Sequence, residues 1–180
     1  MTASRAAASW QRRSDVAAEP GTLGAPGLGL IHARILLVDD DARNISLLRR
    51  VLERAGFSRL ADTTDPLEAA ALCERFTPDL ICLDLHMSPL DGFGVLEQLV
   101  PLIPPTCHLP ILMLTSDSSR EAKQRALALG AKDFVTKPFD ADEVILRIHD
   151  ALREIERQAG VLFGPFLAKE FMRLPHPELI

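Results

Sequence analysis

The chain is predicted to fold as an α/β three-layer sandwich, (βα)5, with a five-stranded parallel sheet between two layers of helices. Three observations carry this reading. Short continuous apolar runs recur in "RILLVDD", "DLICLD" and "PILMLTS", each bounded by polar or turn residues, as strands buried on both faces require. Helical periodicity fills the intervals between them. Strand and helix alternate five times, a pattern that demands right-handed crossovers and a parallel sheet.

The elements follow in order. Residues 1–33 are rich in Ala, Ser, Gly and Pro and lack a sustained period, so a flexible N-terminal extension is expected there. The first strand ends in Asp39, Asp40 and Asp41. Ile45, Leu48, Leu52 and Ala55 then recur at helical spacing, and Gly56 stands where a helix C-terminal cap belongs. A weaker strand is expected over "SRLAD" (58–62). Asp65 and Pro66 open the second helix as N-cap and first-turn proline, with Ala69, Ala70 and Cys73 as its apolar side.

The third strand ends in Asp84, and its helix follows Gly92 with Phe93, Leu96 and Leu99. The fourth strand ends at Thr115 and Ser116; its helix runs from about Ser118 to Leu129 and stops at Gly130. "DFVTK" (133–137), the other weak strand, ends in Lys137. The fifth helix, after Asp140, carries Val144, Ile148, Ala151, Leu152 and Ile155 along one stripe. The folded domain is thus expected to span 34–157. Residues 158–180 hold Phe163, Phe166 and Phe171, three of the chain's eight Phe. That is too apolar for an ordinary disordered end, and the role of this tail stays open.

Bulk composition narrows the function classes. A length of 180 residues with 47% hydrophobic and 25% charged residues suits one soluble domain with a well-buried core. Net charge of −5 and a pI near 5.5 argue against direct nucleic-acid binding. The cysteines (Cys73, Cys82, Cys107) are odd in number and lack ligand spacing, which fits a reducing compartment without disulfide or zinc. Cys82, inside an apolar run, is read as core. No apolar run reaches the ~18 residues of a membrane span. Arg5, Arg12 and Arg13 are followed by no hydrophobic segment, so no secretion signal is expected. A cytoplasmic protein with no membrane contact is the expectation.

In an open parallel sheet, ligands bind in the crevice at the carboxyl ends of the strands. The polar residues gather at those ends: Asp39, Asp40 and Asp41, then Asp84, Thr115 and Ser116, and Lys137. Acids converging on one crevice repel one another and need a hard cation, and oxygen-only ligands favour Mg²⁺ or Mn²⁺ over zinc. Such a metal keeps several waters and can bridge to phosphate oxygens. The Thr115 hydroxyl and the Lys137 ammonium are suitable donors to a phosphoryl group.

Taken together, "ILLVDDD", "ICLDLHMSPLDG", "ILMLTSD" and "DFVTKPF" closely resemble the receiver domain of two-component response regulators, over about residues 34–157. The separations are 44 residues from Asp40 to Asp84, 31 to Thr115 and 22 to Lys137. Each motif alone is weak; the ordered set is specific. The resemblance implies a flavodoxin-like sheet with Asp84 as phosphoacceptor, an activated carboxylate nucleophile. It implies Mg²⁺ (or Mn²⁺) held by Asp39, Asp40, Asp84 and the backbone carbonyl of His86. Lys137 would pair with Asp84 and later with the phosphoryl oxygens, its aim set by a cis bond to Pro138. Thr115 and Phe134 correspond to the family's switch pair. They would remodel the face of helix 4, strand 5 and helix 5, around 120–129 and 134–153, on phosphorylation. That face is the candidate surface for a partner or a homodimer. The implied phosphodonor is a sensor histidine kinase or phosphotransfer protein; the downstream target stays open. No separate catalytic domain is expected, beyond assistance to the domain's own phosphorylation and dephosphorylation.

The chain departs from the family pattern in places. Ser88 replaces a common proline, with Pro89 following at once, and Ser116 replaces a common alanine. His86 and Asp117 occupy the variable positions that modulate the phosphoryl lifetime, with Ser116 between Thr115 and Asp117. Asp41 is read as a helix starter rather than a metal ligand, and His86 as a backbone ligand rather than a ring. For Phe134 the competing reading is simple packing. His32, His108, His149 and His176 receive no role. A haloacid-dehalogenase-like phosphatase also places D-x-D after a strand. However, Arg43 stands where that family needs Thr or Val, and Asp84 would then be without a task. A second alternative is a degenerate receiver that acts as a phosphorylation-independent binding platform. The residues after 157 are too few for a DNA-binding or catalytic output domain, which leaves a stand-alone receiver or a fragment of a longer regulator.

Overall fold

A computed structural model describes residues 30–103, 108–117 and 119–162, the last seven of them by backbone alone. The N-terminal stretch 1–29, Cys107, Ser118 and the tail from 163 lie outside the described residues. The strands are β1 (Arg34–Val38), β2 (Arg59–Thr63), β3 (Leu80–Asp84), β4 (Ile111–Thr115) and β5 (Asp133–Thr136). The helices are α1 (Ala42–Arg54), α2 (Ala69–Phe76), α3 (Gly92–Leu99), α4 (Arg120–Ala128) and α5 (Ala141–Leu162).

All five strands pair in parallel, in the order β2-β1-β3-β4-β5. This is the flavodoxin-like doubly wound order expected from the motifs. The chain leaves β1 toward β2 on one side and returns to β3 on the other, so a crevice opens at the carboxyl ends of β1 and β3.

Strand periodicity divides the core in two. Leu36, Val38, Ile81, Leu83, Ile111 and Met113 point to the side covered by α2, α3 and α4. Ile35, Leu37, Leu80, Cys82, Leu112, Leu114 and Val135 point to the side covered by α1 and α5. Successive strand side chains alternate between faces, and both faces are covered, so the polar positions of the central strands, Arg34, Asp84 and Thr115, fall only at strand ends. Each fully buried Leu or Ile contributes about 1.5–3 kcal/mol. The edge strands differ: β2 exposes Arg59 and Asp62, and β5 buries only Val135. Their weaker apolar signal is the signature of an edge.

Helix ends follow the local chemistry. Asp41 caps α1 by accepting from Arg43 N. Asp65 caps a short 3-10 turn, Pro66–Glu68, that leads into α2. Ser119 caps α4 by accepting from Ala122 N. At the end of α1, Gly56 N donates to Glu53 O and Phe57 N to Leu52 O, a Schellman closure that needs the left-handed φ of +95° found at Gly56. Gly130 closes α4 the same way.

A 3-10 turn at Leu30–His32 buries Leu30 in the α1/α5 core, because an apolar residue beside that core gains more from burial than an extension loses by ordering. Helix α5 continues to Leu162. Cys82 is wholly buried and its thiol is pushed up to about 12 by burial, consistent with a core role.

Candidate functional site: an acid cluster with a shared lysine

Asp39 follows β1 directly and is 2% exposed. Its Oδ1 accepts from Asp41 N at 2.9 Å and Asn44 Nδ2 at 3.1 Å. Its Oδ2 accepts from Lys137 Nζ at 2.7 Å. Asp84, the last residue of β3, is also buried, and its Oδ1 lies 2.9 Å from the same Lys137 Nζ. Asp40 is exposed, with its Oδ2 accepting from Ser88 N at 2.9 Å, which fastens the loop after β3 to the end of β1. Lys137 N in turn donates to Thr115 O at 2.7 Å, anchoring the start of the lysine's loop to β4. The Ser88–Pro89 and Lys137–Pro138 bonds are cis.

Electrostatics follow from this arrangement. Burial pushes the Asp84 carboxyl above its ordinary value, the Lys137 ammonium opposes that, and the nearby Asp39 charge adds to it. Burial alone would lower Lys137, but its bonds to Asp39 and Asp84 outweigh this and raise it. The lysine is therefore a fixed cation at neutral pH, and Asp84 a more basic carboxylate than a surface acid. Carboxylate oxygens of Asp39, Asp40 and Asp84 lie within 4.8 Å of one another. A cluster built only from carboxylates is a hard-cation donor set, and Lys137 alone does not balance three acids. The residues therefore fit a divalent ion such as Mg²⁺.

A glycine controls the approach beneath Asp84. Gly92 N donates to Leu85 O at 2.8 Å. A Cβ at Gly92 would stand 2.3 Å from Asp84 O and 2.8 Å from Leu85 Cα, so α3 abuts the end of β3 only because no side chain intervenes.

The other expected residues are distributed as follows. The buried Thr115 hydroxyl is bonded within its own loop, accepting from Asp117 N at 2.9 Å and donating to Asp117 O at 3.3 Å. Asp117 Oδ1 accepts from Ser119 N at 2.8 Å, which holds its carboxyl below the usual range, with a smaller contribution from nearby His86. Ser116 and His86 are exposed. Phe134 is half-buried against the core on the α2–α4 side, with Lys123 Nζ 4.2 Å from its ring centroid. Asp41 stands as the α1 cap, its carboxylate taken by Arg43. Asn44 and the Ser88 N–H are the contacts that motif spacing misses. Asn44 is one polar residue in a first helical turn, and nothing in its spacing distinguishes it from a solvated one.

A five-stranded parallel sheet of order 2-1-3-4-5 with acids at the β1 and β3 ends, a β4 hydroxyl and a β5 lysine defines a class. The response regulator receiver domain model matches residues 35–149, and the chain belongs to that family. It is 39% identical over 126 residues to the alkaline phosphatase synthesis transcriptional regulatory protein PhoP of Bacillus subtilis, covering 70% of this chain and 51% of that protein. It is 37% identical over 124 residues to the DNA-binding dual master transcriptional regulator RpaA of Synechocystis sp., covering 69% and 51% respectively. The match thus spans about half the length of these relatives. Among solved structures, the receiver domain from Bermanella marisrubri aligns with TM-score 0.60 at 33% identity, over 67% of this chain and 98% of that one. The Francisella response regulator 1452 receiver domain aligns with TM-score 0.62 at 28% identity, over 68% and 98%. Receiver domains of this family interact with histidine kinases or phosphotransfer proteins. Among the described residues, no helix is long and apolar enough to cross a membrane.

Proposed function

We propose that this receiver domain is a cytoplasmic phosphoacceptor that takes a phosphoryl group onto Asp84 from a histidine kinase or phosphotransfer protein. The observation that carries the reading is the Lys137 ammonium held between buried Asp39 and Asp84, at 2.7 and 2.9 Å, beside the three-acid cluster. Asp39, Asp40 and Asp84, with the His86 carbonyl, would hold Mg²⁺, which when bound supplies charge neutralisation for the incoming phosphoryl oxygens.

The chain's own residues account for the remaining chemistry. An Asp84 carboxylate oxygen attacks phosphorus, and the phosphorus–nitrogen bond of a phosphohistidine donor breaks. The electron pair returns to the imidazole nitrogen, leaving an acyl phosphate on Asp84. Burial keeps bulk water from this carboxylate and makes it the more basic of its kind. As phosphorylation moves the negative charge from the Asp84 carboxylate onto the phosphoryl oxygens, Lys137 remains within reach to pair with one of them.

Thr115 must exchange its bonds to Asp117 for the phosphoryl group, which loosens the loop leading into α4. Phe134, half-buried beneath Lys123, is positioned to follow. The α4–β5–α5 face, with Leu127 and Leu146 exposed, is the surface that would change for a partner or a second copy. His86, Ser116 and Asp117 border the site and would modulate the lifetime of the acyl phosphate.

The test is intact mass of the full chain and of Asp84→Asn after acetyl phosphate and Mg²⁺. Gain of one phosphoryl group by the wild type alone supports the reading. No gain in either sinks it in favour of a phosphorylation-independent platform.

A further inference from the structure

Asn44 has no evident task in the helix that contains it. It occupies the third position of α1, where asparagine is a poor helix former, and the N-cap role belongs to Asp41. Its amide instead reaches Asp39 Oδ1 at 3.1 Å. An ionised carboxylate only accepts, so the amide nitrogen must be the atom facing it.

A carboxylate offers about four acceptor sites, two on each oxygen. On Asp39, Asp41 N and Asn44 Nδ2 fill both sites of Oδ1. Lys137 Nζ takes one on Oδ2. One acceptor site remains, on the oxygen turned toward the lysine that also bonds Asp84. Besides the lysine, the orientation of this buried acid is set by one main-chain N–H and the Asn44 amide, and the amide can be varied without removing the cation shared with Asp84.

We propose that Asn44 is a positioning residue that presents Asp39 to a divalent cation and makes the site favour magnesium over calcium. This rests on the cation site proposed above at Asp39, Asp40 and Asp84. Mg²⁺ requires near-octahedral donors at about 2.0–2.1 Å, whereas Ca²⁺ accepts six to eight oxygens in looser geometry at about 2.3–2.6 Å. A donor pinned in direction matters more to the first ion than to the second. Without Asn44, Oδ1 regains an open acceptor site and the carboxylate can turn about its Cβ–Cγ bond.

The test is calorimetric titration of the full chain with MgCl2 and separately with CaCl2, without a phosphodonor, for wild type, Asn44→Ala and Asn44→Leu. Loss of an outer-shell partner of this kind weakens metal binding about 10–100-fold. The Mg²⁺ affinity of both variants is expected to fall by about tenfold or more, with a smaller loss for Ca²⁺, so that the preference between the ions narrows. Asn44→Leu has a similar volume and no N–H, so it gives the reading if Asn44→Ala fails to fold. Unchanged Mg²⁺ affinity, or equal losses for both ions, overturns the proposal. A wild type that binds no Mg²⁺ overturns the underlying site itself, and that result is seen before any substitution is compared.

Discussion

Lys137 Nζ stands 2.7 Å from Asp39 Oδ2 and 2.9 Å from Asp84 Oδ1, a single ammonium shared by two buried carboxylates. Three strand ends, those of β1, β3 and β5, meet through that one atom. Two acids and one base leave a net negative charge in a poorly solvated place. The pair is therefore neither a simple stabilising salt bridge nor an idle surface contact.

Opposite effects on stability follow for its members. Removing the cation by Lys137→Met leaves two buried carboxylates uncompensated and should cost about 3–5 kcal/mol. Removing one acid by Asp84→Asn leaves a balanced Asp39–Lys137 pair and should stabilise the metal-free protein. Urea unfolding in EDTA measures both; a destabilised Asp84→Asn would show that the shared lysine fully compensates both acids.

The pH dependence separates the two groups. The folded state raises Asp84 above its ordinary 3.8, so it binds that proton more tightly than the unfolded chain. The resulting cost is absent below pH 3.8, grows as pH rises toward the folded value, and is complete above it. The stabilisation of Asp84→Asn over wild type should accordingly vanish on acidification and reach a plateau above the folded value. Lys137 is raised above 10.5, so its contribution is complete below that pH and is lost as pH rises through the higher folded value. Melting curves from acid to alkaline pH in EDTA follow both limbs.

Gly92→Ala tests the close approach of α3 to β3. A methyl group 2.3 Å from Asp84 O must push backbone apart, at about 1–3 kcal/mol, and the displaced atoms belong to the proposed phosphoacceptor. The variant should melt lower and also incorporate phosphoryl from acetyl phosphate more slowly, measured at a temperature where it remains folded. An unchanged rate would mean that the strand end absorbs the shift without moving the carboxylate.

Asp41→Ala distinguishes a helix cap from a third ligand of the first strand end. Loss of the bond from Arg43 N should cost about 1 kcal/mol, while Mg²⁺ affinity by calorimetry stays at the wild-type value. A large loss of affinity would instead make the Asp41 carboxylate part of the cation site.

Much of this architecture is legible in the chain because its causes are local. Apolar runs mark β1, β3 and β4, since a strand covered on both faces keeps polar residues only at its ends. Asp41, Asp65, Gly56 and Gly130 mark helix ends, since caps depend on neighbouring backbone. The β2 and β5 signals are faint because each is an edge with fewer buried positions. Leu30 is not marked as core by the chain, because Leu28, Leu30 and Ile31 lie in a Gly-rich stretch without a sustained period.

Acids placed at strand ends already imply a crevice with a hard-cation chemistry. What no pattern in the chain contains is the meeting of Lys137 with Asp39, 98 residues away. The same holds for the bond from Asn44 to that acid, the hold of Ser88 N on Asp40, and the engagement of Thr115 with Asp117 rather than Asp84. Periodicity and caps arise from contacts within a few residues, and so they can be read along the chain. Which donor reaches which oxygen depends on ångström-scale separations between strands, and these exist only once the sheet has assembled and both its faces are packed.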